Sequence, residues 1–287
     1  MTFASSRKIL SYLLSVTVAI SIVVAVASGI NHLTVGSKSF YVKSFATQTL
    51  ADECDKQLIE KYKTLSAKSN LPLDVFDSVK VKFDTKESLN QAAEYLFDEN
   101  DETLKNGSRY EYFKSTIIEY TDANEIKMSD ESVDNVAYEA QQIYSDTVGI
   151  HNLEFLQNDM TKQNTQAIGC FSVCLVILAL SAIILAYVYD KKIQFLSYFA
   201  SGIITGGVAT VLSSLAIKIW HIGAVEISPA VWNTVFDGMT QKILLYRIFA
   251  GVAVLLLGIA LFAFSQHRLN REQMRKDTRY SKIFSKL

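Results

Sequence analysis

The side chains that most often carry chemistry are thinly spread in this chain. Four histidines, His32, His151, His221 and His267, lie far apart on different segments and would gather into one metal or acid–base site only by special folding. Three cysteines, Cys54, Cys170 and Cys174, are too few for a disulfide framework. Cys170 and Cys174 stand one helical turn apart, a spacing that would suit a metal or redox pair facing a partner, but neighbours on one helix are poorly placed to bond each other. Packing is the simpler use of both, and Cys54 falls on an apolar helix face, where a thiol behaves as a small hydrophobe. The chain has no Gly-x4-Gly-Lys-Ser/Thr loop, no His-Glu-x2-His, no Gly-x-Ser-x-Gly and no Cys-x2-Cys. No catalytic residue, cofactor or metal is therefore expected, and no enzyme, although a site built from carboxylates alone would leave no motif. The acidic run Asp98-Glu99-Asn100-Asp101-Glu102 lacks the alternating ligands, central glycine and terminal glutamate of an EF-hand loop, so it reads as a solvated loop. Asn106-Gly107-Ser108 has the form of a glycosylation sequon and also of a common turn, and the turn is preferred.

The sharper signals lie in apolar surroundings. Gly202, Gly206 and Gly207 sit with Ser197, Ser201 and Thr205 at four-residue spacing, a small-residue face that lets helices pack closely in lipid. Gly251 and Gly258, seven apart, offer a matching seam. Arg247 stands near the start of an otherwise uncharged stretch. Left in lipid it would cost about 3 kcal/mol, so it should either reach the headgroups or pair with an acid, Glu226 or Asp237 being the nearest candidates. Arg268, Arg271, Arg275 and Arg279 form one stripe at helical spacing, suited to anionic inner-leaflet lipids or to a cytoplasmic partner.

These residues need long helices to position them. The chain has 287 residues, 49% apolar and 20% charged, with mean hydropathy +0.18, but its apolar residues gather into one block near the start and three near the end. That distribution excludes a single soluble domain, a disordered chain and a disulfide scaffold. Two prolines in the whole chain point to helix. A membrane crossing needs about 20 consecutive apolar residues. Four stretches qualify: Ile9 to Ile30 within an N-terminal segment 1–31, then 168–189, 193–219 and 243–264. The first reads as an uncleaved signal anchor, with cleavage after Ala27 as the alternative. Basic residues cluster before the first span, in the turn at Lys191 and Lys192, and in the tail 265–287, giving eleven bases against three acids. Residues 32–167 carry fourteen bases and twenty-four acids. Since Lys and Arg mark the cytoplasmic side, both termini are expected inside and 32–167 and 220–242 outside. The expected architecture is all-α and polytopic, with a helical extracytoplasmic domain between spans one and two. The loop 220–242 should hold Trp220 and Trp232 at the interface and a short surface helix near 230–240, with Val231, Val235 and Met239 facing the lipid or the bundle.

Within 32–167 the apolar spacing is helical. Leu50, Cys54, Leu58, Tyr62 and Leu65 line one side of a long helix before Leu71-Pro72. Leu89, Ala92, Ala93, Leu96 and Phe97 form a second face, opened by Asp84 or Thr85. Tyr110, Phe113 and Ile117 form a third, and Val133, Val136, Ala137, Ala140 and Tyr144 a fourth, after Ser129-Asp130. Val79, Val81 and Phe83 alternate, but over too few residues to define a strand. From Leu153 to Ala167 there is no Pro or Gly, so the last helix should enter the membrane unbroken; Gly29 and Gly36 offer hinges after the first span.

One span, a large outside domain, then three spans with a short inner turn resembles ABC-transporter permeases of the FtsX and MacB type, which couple a separate cytoplasmic ATPase to events outside. The resemblance covers the thread alone, because Asp190-Lys191-Lys192-Ile193-Gln194 is too short for the coupling segment those permeases carry. The chain is also similar to multi-pass membrane proteins of Gram-positive bacteria that have helical outside domains and no assigned activity. The expected function is a non-enzymatic cell-membrane protein whose outside domain binds an envelope component or partner protein. The alternative is a permease-like subunit of a transport or mechanotransmission complex driven by an ATPase. Beyond the lipid bilayer and such a protein no partner is implied, and nucleic acid is not expected.

Overall fold

A computed structural model describes residues 3–95, 97, 107–149, 153–189, 192–220 and 231–284. Among them every regular element is a helix. In order these are α1 (Phe3–Thr34), α2 (Lys38–Phe45), α3 (Gln48–Ser69), α4 (Leu73–Asp77), α5 (Val79–Lys82), α6 (Thr85–Tyr95), α7 (Gly107–Ala123), α8 (Asp130–Val148), α9 (Leu153–Val188), α10 (Lys192–Trp220) and α11 (Val231–Phe284). Four of them contain stretches long and apolar enough to cross a membrane: Ser6–Thr34, Met160–Val188, Ile193–Trp220 and Asn233–Met274. This is the make-up of a multi-pass membrane protein. The chain divides into two compact units. One, the membrane-helix unit, takes α1, α9 from Gln163, α10, and α11 from Thr240. The other, the polar unit, takes α2 to α8, Leu153–Lys162 of α9, and Val231–Met239 of α11.

The polar unit is built on α3. Leu50, Cys54, Leu58, Tyr62 and Leu65 are all buried along one side of it, and α3 packs against α8, α4 and α6. Its ends follow from side-chain chemistry. Thr47 caps the start by accepting from the Leu50 amide at 3.3 Å. Asn70 ends it in the left-handed conformation at φ 59°, directly before Leu71-Pro72. α8 begins in the same way: the Ser129 hydroxyl accepts from the Ser132 amide at 3.3 Å, with Asp130 and Glu131 in the first turn, where negative charge complements the helix dipole. Between them Tyr62 stacks on Phe76 (ring centroids 5.8 Å apart), meets Phe113 edge-on at 6.0 Å, and donates its hydroxyl to the Ala140 carbonyl at 3.2 Å. Burial holds the Tyr62 phenol well above its ordinary range. Burial likewise pushes the Cys54 thiol up to about 12, and its Sγ lies 3.7 Å from the Thr147 carbonyl, so Cys54 packs as a small hydrophobe in the core. On the surface Tyr110 and Lys114 both donate to Asp134, at 3.0 and 2.7 Å, and the Lys114 contact chiefly holds that carboxyl below its usual range.

Residues 79–82, whose alternation is too short to define a strand, form the short helix α5, and Val81 is 92% exposed. Two expectations are corrected here. The separate surface helix near 230–240 is the first part of α11, and Val235 and Met239 are buried in the core of the polar unit and do not face lipid. On α7 the buried face is Arg109, Phe113, Ile117 and Thr121 at four-residue spacing, so the helix is turned to bury Arg109, while Tyr110 is only partly buried.

In the membrane-helix unit α1 packs closely along α10. A Cβ built on Gly202 would lie 2.7 Å from the Ser15 carbonyl oxygen and 2.8 Å from Val18 Cβ; one on Gly206 would lie 2.8 Å from Ile22 Cβ. Glycine at both positions lets the two backbones approach. On the other side of α10, Gly207 faces the Leu255 backbone, while Gly251 and Gly258 of α11 face Thr210 and Ile204. Polar side chains bind the same pairs together. Ser15 donates to the Tyr198 carbonyl at 2.8 Å, and the Ser197 and Ser265 hydroxyls are 2.6 Å apart. Gly29 lies inside α1 and does not break it; a Cβ there would come within 3.3 Å of the Phe171 ring.

Replacing Gly202 by Val should lower the melting temperature of the detergent-solubilised protein, because overpacking against a backbone carbonyl costs about 1–3 kcal/mol. Gly169→Ala, where nothing lies within 4 Å of the new Cβ, should melt with the parent. Equal melting of Gly202→Val and parent would show that α1 and α10 do not meet there.

Candidate functional site at one end of the membrane helices

The hydrogen bonds of the membrane-helix unit sort it into two ends. At one, Ser11 near the start of α1 donates to the Tyr189 hydroxyl just past α9 at 2.9 Å. Tyr198 near the start of α10 stacks on Tyr189 at 5.4 Å and meets Tyr12 edge-on at 5.8 Å. Ser265, late in α11, donates to the Ile193 carbonyl at 3.0 Å. Arg268 lies over the Phe264 ring at 5.4 Å, and Arg268 and Arg271 are exposed. Arg275 and Arg279 lie on α11, but their side chains are outside the described residues. The chain runs alternately, so Arg7, Lys8, Lys192 and Arg268 belong to this end.

The opposite end brings together Asn31 and His32 of α1, Asn164 of α9 and Arg247 of α11. Arg247 Nη2 donates to Asn31 Oδ1 at 2.7 Å. The Arg247 Nε is buried and has no hydrogen-bond partner among the described residues. Of the two acids expected to pair with this guanidinium, Glu226 lies outside the described residues. Asp237 is not on a loop but on α11 itself, ten positions before Arg247, which is about 15 Å of helix rise. Among the described residues the group that meets the guanidinium is a neutral amide from another helix. Beside this pair, His32 Nδ1 and Asn164 Oδ1 are 2.7 Å apart, which links α1 to α9.

Next to these polar groups is a cavity of about 490 Å³. Val26, Gly29 and Ile30 of α1, Ile168 and Phe171 of α9, and Ala250 of α11 form its apolar wall, with His32 as its polar member. Ala250 is one turn from Arg247, and Asn31 lies between two residues of the wall. Sequence reasoning singled out Arg247 but missed the cavity and Asn31. Their signal was present, since Asn31 and His32 are the first strongly polar residues after the first span, and a polar pair at a span end is a partner for an intramembrane charge.

The polar unit holds a second cation in unusual surroundings. Arg109 is nine-tenths buried, donates from Nη2 to Ser88 Oγ at 3.3 Å, and lies over the Tyr144 ring at 4.8 Å and the Phe83 ring at 5.5 Å. Aromatic faces stand in for a carboxylate there. Tyr144 donates to the same Ser88 hydroxyl at 3.0 Å. Among the described residues no group of three or more His, Cys, Asp and Glu could hold a metal ion.

No protein-family model, no curated protein and no solved structure matches the chain.

A double-mutant cycle on Asn31→Ala and Arg247→Leu in detergent should show coupling of about 1 kcal/mol, the size of an interhelical hydrogen bond in a membrane protein. The matching cycle on Asp237→Asn and Arg247→Leu should show none. Additive losses in the first cycle, or coupling in the second, would contradict the assigned partner.

Proposed function

We propose that this is a non-enzymatic cell-membrane protein whose polar unit stands on the extracytoplasmic face, binds an envelope component or partner protein, and passes the bound state to the membrane helices. One observation carries this. α9 and α11 are each single helices that place buried residues in the core of the polar unit, Met160 from α9 and Val235 and Met239 from α11, and then continue as candidate spans. An element with side chains in two cores responds to both. Movement of the packed end would be felt at the other as far as the helix stays unbroken through Gly169 in α9 and Gly238 in α11.

Sidedness rests on charge. Arg7, Lys8, Lys192, Arg268 and Arg271 lie toward the end of the bundle marked by Tyr189, and basic residues of this kind are retained in the cytoplasm. The other end leads to the acidic residues of 35–162. The binding face on the polar unit is unassigned. A subunit driven by a cytoplasmic ATPase is the second reading, favoured by the same continuous helices, which would carry movement outward as well as inward.

Ser115 is exposed on α7 and Gln273 exposed on α11. In intact cells a membrane-impermeant maleimide should label Ser115→Cys above the parent and leave Gln273→Cys unlabelled until the membrane is opened. The reverse pattern would overturn the orientation and with it the proposed binding side. An ATPase recovered with the protein from mild detergent would select the second reading over the first.

A further inference from the structure

The apolar cavity has no part in that proposal. Its wall comes from three helices of the membrane-helix unit, and Leu33, Ile168 and Phe171 in it are exposed, so it opens at the surface that the apolar helices present to lipid. Its volume of about 490 Å³ is in the range of small-molecule sites, and apolar cavities of this kind take apolar guests and not water. One turn from Ala250 of its wall stands Arg247, whose guanidinium has five N–H donors; among the described residues it meets only the neutral Asn31 amide, and its buried Nε has no partner. A cation with no counter-charge among the described residues, one helical turn from Ala250 in the wall of an apolar slot, is complementary to a molecule with a hydrocarbon chain and an anionic head.

We propose that the cavity between α1, α9 and α11 holds one acyl chain of an anionic phospholipid, and that Arg247 binds its phosphate. Asn31 holds the guanidinium by its hydrogen bond, and His32, which lines the cavity, is tied to Asn164 of α9. The guanidinium fork suits phosphate because two parallel N–H donors match two phosphate oxygens. This inference needs the four helices to lie in a bilayer, but not which side the polar unit occupies, so the labelling result for Ser115→Cys leaves it standing.

Native mass spectrometry of the full chain, released in mild detergent and titrated with phosphatidylglycerol or phosphatidylcholine of the same chains, tests it. One phosphatidylglycerol should bind saturably per chain, with phosphatidylcholine weaker by about tenfold. Ala250→Phe, which fills the slot, and Arg247→Gln, which removes the charge, should each weaken phosphatidylglycerol by about tenfold or more, and Arg247→Lys should recover part of the loss. Circular dichroism and elution volume identify any variant that fails to fold, and Ala250→Leu then replaces Ala250→Phe. Arg268→Gln with Arg271→Gln should leave the saturable site intact. The proposal is overturned if Ala250→Phe and Arg247→Gln bind as the parent does, if the two lipids bind equally, or if only the Arg268 and Arg271 changes abolish binding.

Discussion

Much of the membrane-helix unit depends on the close approach of α1 and α10 at Gly202 and Gly206. Between helices in lipid there is no hydrophobic drive, since hydrocarbon is as apolar as leucine, so association rests on van der Waals fit and on hydrogen bonds that cross between helices. Two missing side chains let the backbones touch, and Ser15 then reaches the Tyr198 carbonyl. α10 is the most buried of the four candidate spans and α9 and α11 the least. Where α1, α9 and α11 come together lies the cavity near Arg247. The two least buried spans, α9 and α11, also place residues in the core of the polar unit.

The polar unit is held differently. Its interior is a conventional aqueous core, with Tyr62, Phe76, Phe113 and Tyr144 at its centre and hydrophobic burial as the driving force. Arg109 departs from that pattern. A buried guanidinium is costly without compensation, and here two ring faces and the Ser88 hydroxyl supply it. Among the described residues neither Arg109 nor Arg247 meets a carboxylate: the first lies over aromatic faces and the second donates to a side-chain amide.

The sequence made the helices legible because their signals are strong and local. The spans were plain from apolar length, and the faces of α3, α6 and α8 from residues three and four apart, since burial of one stripe is all that such a pattern encodes. Reasoning failed where tertiary contact decides. Nothing local told that residues 231–240 belong to α11 and to the core of the polar unit, because Val235 and Met239 at helical spacing fit a lipid face as well as a protein one. Turning α7 by one residue to bury Arg109 depends on Tyr144 and Phe83 arriving from other elements. The partner of Arg247 was sought among acids nearby in sequence, whereas Asn31 is 216 positions away. The glycines could be named but not paired, for spacing shows a small face and not which helix fills it.

The central claim is that α9 and α11 are unbroken from one unit to the other. Hydrogen–deuterium exchange of the full chain in lipid nanodiscs, followed through residues 158–170 and 236–246, tests it most directly. Backbone amides of continuous helix should exchange slowly across both junctions, with no segment faster than the turns on either side. Exchange at the rate of an open chain at either junction would mean a hinge there, and would contradict transmission through that helix.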